Sequence, residues 1–422
     1  MTLVFVLEIT ARIEYTFGFI FKTRGIEFEL TTDQYHFSNY SGAKLNYSKI
    51  KHNAVQIEPS AICFEDNILH KEVLWSKKND WKCLSFDGQI DPVASIFYLL
   101  SRYEEYTCEK RDVHGRFPFH KSILSLEDRV EKVNCDRWAS QINRFVDSSY
   151  VKHQSTVDII PTFDIDNTFA YKLKTGKRMI LSLIKDVFLG DKTRIKERSE
   201  VLNGSADPYD TYTEIVSVGT RFPKTLIFWL VGERGKMDRN ISIEDAQHQA
   251  LIQSITESIE VNLHPSYASN GNVEIINKEK AKLELVTRTE ITKSRQHFLR
   301  FKLPNTYRAL IDAGFTDDYS MGFAEHVGFR SGTARSHFWF DLSGNKITSL
   351  IIHPFAYMDG TLNEYMKLSV EQSKYRITSM YREVEEFGGD FIFIWHNETI
   401  GDYGKWFGWS SVLQHTLNLS NE

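Results

Sequence analysis

Three apolar runs in the second half of the chain end in side chains able to do acid–base or metal chemistry. VDIIPTFDI (157–165) carries Asp164 and leads into Asp166, IEVNLH (259–264) ends in His264, and DFIFIWH (390–396) ends in His396, followed by Asn397 and Glu398. Asp164 and Asp166 stand two apart, so in extended backbone both carboxylates leave the strand on the same side. Carboxylates held that close repel unless a cation or a donor stands between them. A divalent metal would accept one of them, and the other, kept ionised by the same charge, would take a proton from water. An imidazole such as His264 suits zinc and related metals as a further ligand. His396, behind the apolar FIFIW, is placed as a proton donor to a leaving group. Taken singly, an aspartate after a strand is more often a helix cap and a buried histidine a hydrogen-bonded core residue. Three strand ends of this kind in one chain point instead to a hydrolytic site.

The elements that must position these groups are short, β-branched or aromatic runs separated by helical stretches. TLIFWLVG (225–232) and ITSLIIHP (347–354) join the three runs above as candidate strands. Continuous apolar runs of this length suit buried parallel strands joined by helices, hence an α/β architecture, either a barrel or a doubly wound sheet. In both, active sites are built at the carboxyl ends of the strands. Before a junction near 145–156 the pattern is different: a strand-like or helical apolar opening, β-rich runs at GIEFEL (25–30) and AVQIEP (54–59), and a helix over 91–106 that Asp91 caps and Pro92 opens. The expectation is a smaller mixed α/β domain over 1–150 and a second domain over 151–422. The charged stretch with Arg102, Glu104, Glu105, Asp112 and His114 reads as a helix end and loop held by ion pairs rather than as a catalytic cluster.

At 422 residues, two domains are the natural expectation, and 41% apolar with 25% charged residues describes a folded globular chain. A formal charge of −5 gives no broad basic surface for sequence-independent nucleic-acid binding. Cys63, Cys83, Cys108 and Cys135 lack CxxC spacing and read as free thiols of a reducing compartment. Charged residues interrupt the N-terminal apolar stretch, which argues against a signal peptide, and no run of about 18 apolar residues suggests a transmembrane helix. A cytoplasmic location is therefore expected. The segment 172–190 mixes Lys172, Lys174, Lys177 and Arg178 with apolar residues, leaving two readings: peripheral contact with a membrane surface, or a helix packed on its own domain, which the apolar stripe favours. Trp406, Phe407 and Trp409 suit either sugar stacking or core filling.

At these residues the chain resembles the polysaccharide deacetylases, carbohydrate esterase family four. TFDID (162–166) is similar to that family's first motif, LHPSYAS (263–269) to its HxxxH motif, SRQHFLRF (294–301) to its arginine motif and WHNE (395–398) to its last. The resemblance implies a distorted (β/α) barrel, with Asp164 as general base, Asp166 and His264 as metal ligands, Arg295 orienting the base and His396 as the acid. DPVASIFYLLSRYEEY, DVHGRFPF, GFRSGTAR (328–335) and HPFAYMDGTL (353–362) resemble a bacterial subgroup of deacetylase-like proteins with an uncharacterised N-terminal domain. One position departs: where the second histidine of HxxxH is expected stands Ala268, leaving two protein ligands where a catalytic zinc normally has three. His297 is the replacement proposed by proximity to Arg295, since the two share a face in extended backbone, with His353 behind it.

The activity implied is metal-dependent hydrolysis of a carbon–nitrogen bond, the N-deacetylation of an N-acetylated saccharide or glycan precursor, with zinc as the expected metal. Two other readings stay open: a degenerate deacetylase fold that binds glycans or acts as a scaffold, and a metal-free amidase.

Overall fold

The structure, a computed structural model, describes residues 1–150, 157–174 and 192–421, with residues 179, 180, 184 and 188 between them. Most of the 172–190 segment thus lies outside the described residues. The apolar opening is both strand and helix: β1 (Thr2–Val6) is buried throughout, and the helix Ala11–Phe21 follows, its Thr10 hydroxyl accepting from the Ile13 N–H. With β2 (Phe28–Thr31), β3 (Lys44–Tyr47) and β4 (Val55–Gln56), β1 forms a parallel sheet in the order β2-β1-β3-β4. An antiparallel sheet of β5 (Val73–Lys78), β6 (Trp81–Phe86) and β7 (Gln89–Ile90) comes next. Asp91 caps the helix Pro92–Leu100, as read from the sequence, accepting from the Val93 and Ala94 N–H groups. That helix stops short of Tyr106 because Arg102 turns into the left-handed region at φ +55, and Tyr103–Thr107 begins a new one.

The remainder builds one nine-stranded sheet from β8 (Asp158–Ile165), β9 (Leu226–Trp229), β10 (Glu260–Leu263), β11 (Lys293–Ser294), β12 (Asp317–Asp318), β13 (His337–Asp341), β14 (Lys346–Ile352), β15 (Tyr357–Met358) and β16 (Asp390–His396). Its order is β13-β14-β12-β11-β10-β9-β8-β16-β15, parallel except for the β13–β14 pair. The end strands β13 and β15 do not pair with each other, so among the described residues hydrogen bonding leaves the sheet open. The fold class is mixed α/β with parallel strands. Strand alternation sorts the side chains onto two buried faces. Ile159, Phe163, Ile165, Val261, Leu263, Phe391, Phe393 and Trp395 enter the large core beneath the helices, against Ile215, Ile252, Ile276 and Ile377. Ile160, Leu226, Phe228, Ile392 and Ile394 enter a smaller inner cluster. Continued two residues at a time toward the carboxyl ends, the inner face runs to Asp164, His264 and His396.

The GFRSGTAR segment is the seam between the two halves. Gly328, at φ +115, lies so close to the Val130 backbone that a Cβ there would stand 2.4 Å from the Val130 carbonyl oxygen. The Phe329 N–H donates to that carbonyl at 2.7 Å, and the Cys135 N–H donates to Gly332 at 2.9 Å. Arg330 Nη2 meets Glu105 Oε2 at 2.7 Å while Arg102 Nε meets Glu105 Oε1 at 2.7 Å, all three side chains buried. The charged stretch after the 92–100 helix is thus held by ion pairs, but buried ones that cross to the other half. Removing one partner of such a group strands a buried charge and costs about 3–5 kcal/mol. All four cysteines are free thiols, and no described helix is long and apolar enough to cross a membrane.

Candidate metal centre

The carboxyl ends of β8, β9, β10 and β16 come together in register. His396 pairs with Asp164 across β16 and β8, and the His264 N–H donates to the Trp229 carbonyl at the end of β9. The Arg295 and His297 N–H groups donate in turn to the Leu263 and Pro265 carbonyls. Sequence positions more than two hundred residues apart therefore surround one cavity of about 190 Å³, lined by Asp164, Asp166, His264, His297, Asp359 and His396 among others.

Asp166, His264 and His297 each offer one ligand atom, and these atoms lie within 4.8 Å of one another. Asp166 Oδ1 is 3.2 Å from His264 Nε2 and Asp166 Oδ2 is 3.3 Å from His297 Nε2. Bonds of about 2.0 Å to a tetrahedral zinc place its ligands roughly 3.3 Å apart, and each imidazole stands at about that spacing from one oxygen of the Asp166 carboxylate. His264 Nδ1 faces the Arg295 carbonyl, which can only accept, so Nδ1 donates to it and Nε2 is the ring nitrogen turned toward Asp166. His297 Nδ1 likewise meets Asp238 Oδ1 at 2.8 Å. Such outer contacts fix the tautomer and aim of metal-binding histidines. Asp166 Oδ1 is buried without a hydrogen-bond partner, an unmet need that a cation answers. In the metal-free chain, burial pulls His297 down, but Asp166 and Asp238 outweigh it and push the imidazole up to about 9. Burial would raise Asp166; the opposing His297 and His264 hold it well below the usual carboxylate range.

Asp164 is 2% exposed and accepts from Arg295 Nη1 at 2.8 Å. Arg295 is itself fixed by its Nε bond to the Tyr319 carbonyl, at 3.0 Å, and by the Phe228 ring, 4.4 Å from the guanidinium carbon. His396 Nδ1 donates to Asp359 Oδ1 at 2.8 Å, and the same carboxylate accepts from the His396 N–H and the Thr399 hydroxyl. Burial lowers the His396 pKa, yet Asp359 raises it more, leaving it well above the ordinary imidazole value. Beside it, burial and the Asp166 charge push the Glu398 carboxyl up to about 7.

All six residues singled out from the sequence thus meet: Asp164, Asp166, His264, His297 and His396 line the cavity, and Arg295 lies behind Asp164. His297 does not arrive by strand alternation, however. β11 ends at Ser294, and His297 opens a tight turn, His297–Leu299. Ala268 is exposed and lines a different cavity, with Ser266 and Glu279, so a histidine at 268 would not face Asp166. His353 is engaged elsewhere, by Asp317 at 2.6 Å and Ser336 at 2.8 Å. Of the late aromatics, Trp406 lines the cavity, Trp409 is in the core and Phe407 is 83% exposed. Sequence reading missed two residues. Asp238 sits in a charged loop with no strand before it to mark it. Asp359 follows β15, a strand of two residues, too short to register as a strand end.

A family model, described as a family of unknown function (DUF7033), matches residues 2–151. No curated protein matches the chain. Among solved structures, similarity extends to a polysaccharide deacetylase from Mycobacterium smegmatis at 12% identity, TM-score 0.39, over 63% of this chain and 86% of that one. It also extends to Puue allantoinase at 13% identity, TM-score 0.37, over 65% and 88%. A 4-alpha-glucanotransferase from Thermococcus litoralis follows at 14%, TM-score 0.36, over 63% of this chain and 37% of that one.

Proposed function

We propose that the chain is a metal-dependent hydrolase of carbon–nitrogen bonds that removes the acetyl group from an N-acetylated saccharide. The observation that carries this reading is the Asp166, His264 and His297 cluster sharing one cavity with a buried carboxylate, Asp164, and a charged histidine, His396. The reading takes the nine-stranded sheet as a distorted (β/α) barrel of the polysaccharide deacetylase type and residues 1–150 as a separate domain. Zinc, held by those three side chains, would supply Lewis-acid polarisation of the amide carbonyl and acidify a water. Asp164, aimed by Arg295, is placed to take a proton from the attacking water as its oxygen adds to the carbonyl carbon. His396 gives its proton to the departing nitrogen as the carbon–nitrogen bond breaks, so acetate and a free amine result. Asp359 keeps His396 charged for that task. The cavity, about 190 Å³, is smaller than the roughly 300–1,000 Å³ typical of drug-sized ligand sites, which suits one acetamido-bearing ring at the reacting position. Phe298, Tyr365 and Trp406 line it and offer apolar faces to such a ring.

The test is metal analysis of the purified chain together with turnover of a panel of N-acetylated mono- and oligosaccharides, using Asp164→Asn as control. About one equivalent of metal and acetate release that Asp164→Asn abolishes without losing metal are expected, because an amide cannot accept the proton. Turnover without metal would make the chain a metal-free amidase; metal without turnover on any amide would leave a binding protein.

A further inference from the structure

We propose that the N-terminal half takes part in the metal centre, with Arg116 as a positioning residue that holds His297 toward Asp166. The metal side of this inference rests on the reading above; the positioning itself does not. Directly after His297 the chain takes two left-handed steps, Phe298 at φ +61 and Leu299 at φ +50. Residues with side chains seldom adopt that region, and they stay there only where their surroundings over-determine them. The surroundings come from the other half of the molecule. Arg116 Nη1 donates to the Phe298 carbonyl at 3.0 Å, and Arg116 also lines the cavity. The guanidinium is fixed from behind, its Nε donating to Asp112 Oδ2 at 2.6 Å. Asp112 Oδ1 accepts from the N–H groups of His114 and Arg116, at 2.9 and 2.8 Å, closing a compact loop.

A second tie enters on the far side of the turn. Arg300 Nε donates to the His114 carbonyl at 3.0 Å and Arg300 Nη1 to the Tyr267 carbonyl at 2.7 Å, joining this loop to the segment that follows His264. The His114 ring stands 5.0 Å from the Phe298 ring. The 112–116 loop therefore grips the turn at Phe298 and again at Arg300. Without Arg116 the turn keeps the Arg300 tie and His297 keeps its Pro265 and Asp238 bonds, but the left-handed pair at 298–299 loses the bond on its own carbonyl and relaxes toward ordinary φ, which loosens the aim of His297.

Arg116→Ala, Arg116→Lys and His297→Ala in the full chain test this, by zinc(II) and cobalt(II) titration and by hydrogen exchange of residues 296–300. Arg116→Ala is expected to keep its circular dichroism and cooperative melting, to bind zinc about 10–100-fold more weakly, the range for outer-shell residues, and to exchange the Leu299 and Arg300 amides faster. Arg116→Lys should recover part of both, since an ammonium can reach the Phe298 carbonyl but cannot grip Asp112 as well. Should Arg116→Ala not fold, the lysine variant carries the comparison, and the same two readouts are expected to move in the same direction. Wild-type zinc affinity together with unchanged exchange in the variant overturns the proposal. If the unaltered chain binds neither metal, the metal-hydrolase reading fails while exchange still decides the positioning: faster exchange supports it and unchanged exchange overturns it.

Discussion

His297 and His396 are held in the same manner and placed for different work. Each has Nδ1 at 2.8 Å from a buried carboxylate, Asp238 for the first and Asp359 for the second, and in each the surrounding carboxylates overcome burial and raise the pKa. The difference lies on the other side of the ring. His297 Nε2 is 3.3 Å from Asp166 Oδ2, and the His264 ring centre lies 5.1 Å from its own, so three donors converge. Among the described residues His396 has Asp359 as its single ion-pair partner and borders the cavity. A carboxylate behind an imidazole makes it basic in either case. On the proposed reading, what stands in front assigns the first to a metal and the second to a proton transfer.

Exchanging the two histidines one at a time is the sharpest test of this comparison. His297→Ala should remove most metal binding, weakening it beyond the roughly 100-fold reached by outer-shell changes. His396→Ala should leave metal stoichiometry alone and slow turnover about 10²–10⁴-fold, the usual contribution of a positioned acid. Metal loss in the His396 variant would erase the distinction. Next come the carboxylates behind the rings. Asp238→Asn is expected to weaken zinc about 10–100-fold by calorimetric titration.

Asp359→Asn should act on the pH profile instead. Its charge raises His396, so the acid form persists to high pH; with that charge gone, Asp166 and Asp164 are left to oppose burial, the pKa falls, and the alkaline limb of kcat/KM moves to lower pH. Stability follows the same sign. A raised folded pKa contributes stability that is complete below the ordinary value of 6.5 and is lost as pH rises through the folded value, so the variant's melting temperature should vary less with pH there. The smallest effect belongs to Ala268→His, which restores the HxxxH spacing at an exposed position facing away from Asp166. Its zinc affinity should match that of the unaltered chain; a clear gain would mean that the 264–269 segment can turn toward the metal.

Much of this was legible in the chain itself. The runs at 157–165, 225–232, 259–264 and 390–396 are strands within a few residues of their expected ends, because a strand covered on both faces needs apolar residues at nearly every position, and 347–354 is a strand too, though its first half is exposed. Period-two alternation put Asp164 and Asp166 on one side of their strand, and the packed sheet then showed that side to be the inner one. Other features were hidden. β11, β12 and β15 have two residues each, held by their neighbours rather than by their own composition. Asp238 and Asp359 looked like ordinary loop aspartates, since nothing local marks a carboxylate whose partner is 59 or 37 residues away.

By itself the sequence determined which chemistry was on offer: two carboxylates on one strand face, a histidine at each of two further strand ends, and an arginine and a histidine two residues apart. Spacing along a strand is a local property, set by backbone geometry that any extended segment shares. The tertiary structure alone decided how those groups are arranged. It turned His297 toward Asp166 beside a left-handed turn held by a loop from the other half, left Ala268 facing another cavity, and set a buried aspartate behind His297 and another behind His396. Those outcomes depend on burial and on contacts between distant segments, which raise or lower a pKa and aim a lone pair only once the chain is packed.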